Sequence, residues 1–273
     1  ALDGKVRVPV SQAGGVWYVK GDDAYGLSDE ESTITIPVKS DYDYTVDLPA
    51  WITGEKVKEG YNLTLAENTT GNARKGTVTF TSERGAKKIV FLQFGINDIA
   101  GTYEATYSVY GDNDQLVEET KTFKLVQDAE NEELFYAEEL SSIGGLVIPL
   151  KFNSETYQLS VFAGQYLGYI ASKGWYLYTV VTSEAGYVHA DAALAYSAIA
   201  EFDLDDEVVM LSFPFKDEKG FSFATSDGTI KSYLDGLEVY VFKSQSPSFS
   251  GGNALGYYDM FKNLSIKKVE LKE

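Results

Sequence analysis

Apolar and polar residues alternate along most of this chain, and the alternation predicts strands from end to end. In Thr33-Ile34-Thr35-Ile36-Pro37-Val38 the apolar side chains Ile34, Ile36 and Val38 fall on one face. Asp41-Tyr42-Asp43-Tyr44-Thr45-Val46-Asp47 repeats the pattern, with Tyr42, Tyr44 and Val46 inward and the aspartates outward. A period of two over five or more residues marks a half-buried strand. Thr77–Thr81 alternates again, Ser82-Glu83-Arg84-Gly85 reads as a turn, and Lys88–Phe94 follows, apolar on both faces as a covered central strand should be. Pro9 and Pro37 each interrupt a strand pattern, which places those strands at edges or bulges. The spacing of the turn signals predicts a sandwich.

The pattern changes character near Gly95–Gly101. Residues 1–98 hold 11 basic and 14 acidic residues, a net of −3, whereas residues 99–273 hold 12 and 27, a net of −15. Fifteen of the 20 tyrosines also lie beyond residue 98. Two domains, 1–98 and 99–273, are therefore expected. The second predicts strands at Thr102–Val109, Thr120–Val126, Leu134–Ala137, Leu146–Phe152, Tyr157–Phe162, Trp175–Thr182, Val208–Phe215, Phe221–Thr225, Leu237–Phe242 and Leu264–Leu271. Lys216-Asp217-Glu218-Lys219-Gly220 reads as a hairpin turn between two of these, and alanine-rich Ala190–Ala200 as a short helix. So many strands in one domain suit a closed or nearly closed antiparallel barrel.

Composition narrows the chemistry. The net charge of −18 over 273 residues excludes a general nucleic-acid binder, because affinity for phosphate backbones comes from clustered Lys and Arg. There is no cysteine, hence no disulfide, thiolate nucleophile or zinc-thiolate site, and His189 is the one histidine. No apolar run is long enough to span a bilayer as a helix. The Ala-Leu-Asp-Gly start carries no export signal, so the chain is either cytosolic or begins after a removed one; its Thr, Ser and Tyr content favours export.

The segment Ile34–Gly95 resembles the BACON domain, an immunoglobulin-like module of exported Bacteroidetes proteins. The resemblance rests on Ser40-Asp41, Tyr44-Thr45-Val46, Pro49-Ala50-Trp51-Ile52, Leu63-Thr64-Leu65, Asn68, Asn72-Ala73-Arg74, Gly76–Phe80 and Leu92-Gln93-Phe94-Gly95. Tyr44 stands where that family often has Trp. The resemblance implies export to the cell surface, outer membrane or periplasm, commonly with a lipid anchor, and attachment to modules that handle glycans. It assigns Trp51, Arg74 and Gln93 structural roles. Gly101-Thr102-Tyr103 is similar to the opening strand of lipocalin-like barrels, with Tyr103 where those carry Trp.

Candidate chemistry is sparse. The acidic pairs Glu118-Glu119, Glu132-Glu133 and Glu138-Glu139 sit in turn-like contexts, although a glycosidase would need one protonated and one ionised carboxyl. Asp203, Asp205 and Asp206 could ligate calcium from a loop, as could Gly111-Asp112-Asn113-Asp114; neither fits the EF-hand pattern. His189 has no visible nucleophile or orienting partner. Sugars present flat C–H faces that dock on exposed rings, so Phe249, Tyr257, Tyr258, Trp175 and Tyr176 are the expected ligand contacts.

These observations predict an all-β protein, an immunoglobulin-like sandwich followed by a lipocalin-like barrel. The expected function is non-enzymatic: an exported surface module binding a neutral glycan or spacing a neighbouring surface protein from the membrane, with no cofactor beyond calcium. The alternatives are a lipocalin-like carrier of a small apolar ligand and a glycoside hydrolase whose carboxylates converge in the fold.

Overall fold

The computed structural model describes residues 15–205 and 208–269, with side chains outside 203–209. Among these the protein is all β, with one 3₁₀ turn at Ile96–Asp98. Its backbone packing divides into a first unit of residues up to 70 plus 74–93, and a second unit of residues 71–73 and 94 onward.

The strands of the first unit are β1 (Trp17–Val19), β2 (Ala24–Leu27), β3 (Ser32–Ile36), β4 (Val38–Ser40), β5 (Tyr44–Asp47), β6 (Ile52–Val57), β7 (Gly60–Leu65), β8 (Arg74–Ser82) and β9 (Gly85–Gln93). A three-stranded sheet, β3-β7-β6, faces a four-stranded one, β2-β9-β8-β5, while β1 pairs β4. The alternation places Ile36, Ile52, Leu63 and Leu65 of one sheet against Val78, Phe80, Ile89 and Phe91 of the other, all at most 3% exposed. Pro37 follows edge strand β3, where its missing N–H costs no ladder bond.

In the second unit the strands are β10 (Gly101–Tyr110), β11 (Leu116–Gln127), β12 (Leu134–Glu138), β13 (Val147–Asn153), β14 (Gln158–Phe162), β15 (Tyr166–Ile170), β16 (Trp175–Ser183), β17 (Val188–His189), β18 (Ala195–Ile199), β19 (Glu201–Asp205), β20 (Val208–Pro214), β21 (Phe221–Thr225), β22 (Gly228–Ser232), β23 (Leu234–Phe242) and β24 (Ala254–Lys268). One curled antiparallel sheet runs β15-β16-β23-β24-β10-β11-β12-β13-β14-β18, with β20 added beside β24. The curl returns on itself: Lys216 N donates to Ser197 O of β18 at 2.9 Å, and the Tyr196 hydroxyl to Phe215 O at 2.9 Å. A barrel-like enclosure results. Its interior is filled by Tyr103, Phe123, Phe135, Phe152 and Phe213, with successive ring centroids about 6 Å apart. The Tyr103 hydroxyl donates to Ile99 O at 2.7 Å, and burial pushes its pKa far above the usual tyrosine value.

β24 serves two neighbours along one edge. Residues 254–262 pair β23, and residues 265–267 pair β20. Between them Asn263 takes φ +52°, a left-handed conformation that asparagine tolerates better than most residues.

Three expectations need correction. Ala190–Ala200 contains strand β18, not a helix, because Ala195–Ile199 pairs β14 through all five residues and buries Tyr196 and Ala198. Residues 216–220 do not turn a hairpin: β20 pairs β19 and β24, and β21 pairs β22, so the segment passes between sheets. Asp203 and Asp205 belong to strand β19, not a loop. The unit boundary falls between Gln93 and Phe94, and Phe94 and Ile99 are buried within the second unit.

Candidate functional site

Side chains directly opposite each other in an antiparallel ladder share a face. On β15, β16 and β23 this rule produces an array of rings. One row is Tyr166, Tyr178 and Tyr240; the next is Tyr169, Tyr176 and Phe242. Centroids lie 5.3 Å apart for Tyr166–Tyr178, 4.6 Å for Tyr169–Tyr176 and 5.7 Å for Tyr178–Phe242. Phe249 caps the far end, edge-on to Tyr240 at 5.5 Å and to Phe242 at 5.4 Å. Tyr178 and Phe242 form a buried floor, whereas Tyr166, Tyr169 and Phe249 are 44–50% exposed.

The loop carrying Phe249 is held by its own bonds. Asn253 Nδ2 donates to Ser246 O at 2.9 Å and Ser248 O at 3.3 Å, and Gly251 and Gly252 both adopt left-handed φ. The Tyr178 hydroxyl donates to Gln245 O beneath it. Burial raises the pKa of Tyr178 and Tyr240, so their hydroxyls stay protonated.

The same sheet face continues into a polar chain. At the register shift five residues before Tyr240, Asp235 accepts from Thr182 Oγ1 at 2.6 Å and pairs Lys262 Nζ at 2.7 Å. Glu238 lies between, 5% exposed, with Oε2 lacking a hydrogen-bond partner among the described residues. Burial raises its carboxyl pKa to about 7, against the pull of the Lys262 ammonium.

The expected ligand contacts divide. Phe249 and Tyr176 belong to the ring array. Trp175 lies on the opposite face of β16, with its ring 6.4 Å from Tyr258. Tyr257 and Tyr258 are exposed on β24, at a bulge where Tyr257 stands opposite Tyr240. Tyr166, Tyr169, Tyr178, Tyr240 and Phe242 were not singled out by the sequence. Each alternates like an ordinary core residue, and only the pairing of β15 with β16 and of β16 with β23 aligns them.

Among the structural residues, Arg74 Nε donates to Gln93 Oε1 at 2.9 Å, and the guanidinium lies 4.5 Å from the Trp51 ring centroid. Gln93, fully buried, donates from Nε2 to Ser28 O, Glu30 O and Ala66 O.

The other candidates have different settings. The Asp203, Asp205 and Asp206 side chains lie outside the described residues. Gly111–Asp114 closes the β10–β11 hairpin through Gly111 N to Gln115 O, with Asp114 at φ +54°. Among the described residues no group of three His, Asp or Glu side chains converges as a metal site. His189 Nε2 stands 3.3 Å from Ser183 Oγ, but Ser183 is fully buried where no substrate reaches it. The imidazole packs edge-on to Phe221 and Phe223, and burial lowers its pKa. A groove of about 670 Å³ near Asp217 is built from a structural carboxylate, since Asp217 accepts from Lys219 N, Gly220 N and Leu234 N.

No family model and no curated protein matches the chain. A solved structure of a protein of unknown function from Bacteroides ovatus overlaps 87% of this chain and 96% of its own, at 9% identity and a TM-score of 0.25. That score is too low to establish a shared fold.

Proposed function

We propose that the protein is a non-enzymatic, exported surface module that binds a neutral oligosaccharide on the ring array of β15, β16 and β23. The two-row array carries this reading. Pyranose rings stack their C–H faces on tyrosine and phenylalanine, and a face with exposed rings at both ends of a buried aromatic floor suits an extended chain. The exposed ends are separated by two strand spacings, about 10 Å, which matches more than one sugar ring. Tyrosine hydroxyls supply the polar contacts at the edges.

The net of −15 beyond residue 98 argues for a neutral glycan, because the protein's field repels uronates and sialylated chains. The BACON-like motifs of the first unit fit the same setting, an exported protein beside glycan-handling modules. The carrier alternative receives no support from the barrel interior, where five aromatic rings occupy the space a ligand would need.

A glycan array with the full chain tests the proposal. Binding to neutral oligosaccharides is expected, with affinity insensitive to salt. The triple variant Tyr166→Ala, Tyr169→Ala, Phe249→Ala should lose roughly a hundredfold or more, at about 1 kcal/mol per stacked ring. Preference for acidic glycans overturns the charge argument, and binding unchanged in the triple variant overturns the site.

A further inference from the structure

The mouth of the barrel holds a second recess, separate from the ring array. The β10–β11 hairpin stands out beyond the pairing of β11 with β12, which begins only at Lys124. Between this arm and β24 lies a cleft of about 200 Å³. Val109, Leu140 and Phe261 give it apolar surface, and Tyr257 and Tyr258 supply exposed rings.

Three polar groups converge there. The Tyr107 hydroxyl reaches Glu119 Oε2 at 3.4 Å, a long bond that leaves it free to turn toward a ligand. Glu119 itself is exposed. Lys121 donates to Leu140 O at 2.9 Å and Ser141 O at 3.0 Å, using two of an ammonium's three N–H groups. The neighbouring carboxylate, Asp259, is committed elsewhere: it accepts from the Ser141 and Ser142 hydroxyls and from Ser142 N. Glu119, Asp259 and the single cation Lys121 leave the cleft with a net charge of −1, which disfavours an acidic sugar, while offering a donor, an acceptor and a hydroxyl beside flat rings.

We infer that this cleft is a binding site for a single neutral sugar ring, held by Tyr107, Glu119 and Lys121 and stacked on Tyr257 or Tyr258. The volume seats one hexose ring. Mixed donors and acceptors next to an apolar wall match a ring that carries hydroxyls on its rim and C–H on its face. Barrel mouths are a recurrent place for such sites. The inference does not depend on the ring array: Tyr107, Glu119, Lys121 and Tyr258 lie outside it, and Tyr257 alone stands opposite its Tyr240.

Titration of the full chain with methyl glycosides of glucose, galactose and mannose, followed by calorimetry or ligand-observed NMR, tests it. At least one glycoside should bind. Tyr107→Phe and Glu119→Gln, which keep shape and packing, should each weaken it roughly fivefold. Measured in the background of Tyr166→Ala, Tyr169→Ala and Phe249→Ala, which removes the ring array, glycoside binding should persist and should still fall with Tyr107→Phe, so that failure of one site is distinguished from failure of the other. A trisaccharide ending in the same sugar separates two sources of this chemistry: if it binds the cleft, the ligand is a chain end; if only the glycoside does, it is a free sugar. No glycoside binding, or wild-type binding in both Tyr107→Phe and Glu119→Gln, overturns the inference.

Discussion

Arg74 lies over the Trp51 ring, its guanidinium carbon 4.5 Å from the ring centroid, on the outer margin of the sandwich core. Gln93 fixes it there by accepting from Arg74 Nε at Oε1, and Ala66 O accepts from both Gln93 Nε2 and Arg74 Nη2. Three side chains far apart in sequence thus close one corner, and Gly76 completes it: a Cβ there would stand 2.8 Å from Trp51 and 2.6 Å from Pro49.

Arg74→Ala should therefore destabilise the first unit by roughly 2 kcal/mol, from lost hydrogen bonds and the cation–π contact. Gln93→Leu should cost at least as much, because it strands buried carbonyls. Neither change should alter glycan binding. Chemical denaturation beside a binding titration checks both; an unchanged midpoint with lost binding would place Arg74 at a ligand instead.

Glu238 predicts a pH dependence. Its folded pKa, about 7, is raised above the ordinary value of 4.5. A raised acid contributes stability that is complete below about 4.5 and is lost as pH climbs through 7, because the folded state resists giving up the proton. The full change amounts to about 3 kcal/mol. Urea unfolding at pH 5 and pH 8 should show the wild type weaker at pH 8, and Glu238→Gln should flatten the difference. The variant comparison matters, since growing repulsion among the many carboxylates acts in the same direction. Equal slopes in both proteins would assign the effect to net charge alone.

Asn263 predicts a backbone effect. At φ +52° within β24 it lets one strand pair β23 and then β20. Asn263→Val should cost about 2 kcal/mol, and Asn263→Gly close to none, because a β-branched residue is strained at positive φ and glycine is not. Thermal melting of the two variants distinguishes this from a loss of side-chain bonding, which would weaken both equally.

Strand content was legible in the sequence because each half-buried strand writes its own period of two. Thr33–Ile36, Tyr44–Asp47 and Lys88–Gln93 could be read one at a time, and so could the exclusion of thiol chemistry and the acidic field beyond residue 98, whereas Val38 falls in a separate strand paired with β1. Ala195–Ile199 misled for the same reason in reverse: alanines favour a helix locally, and pairing with β14 outweighs that preference. The partners of a strand are not written in it. Tyr166, Tyr178 and Tyr240 are far apart along the chain and look alike in sequence to any core tyrosine. Only the register of β15 on β16 and of β16 on β23 brings them into one row, and only the hairpin arm of β10 and β11 opens a cleft beside Tyr107. Local physics set the elements; long-range pairing, which a single sequence does not display, set the surfaces.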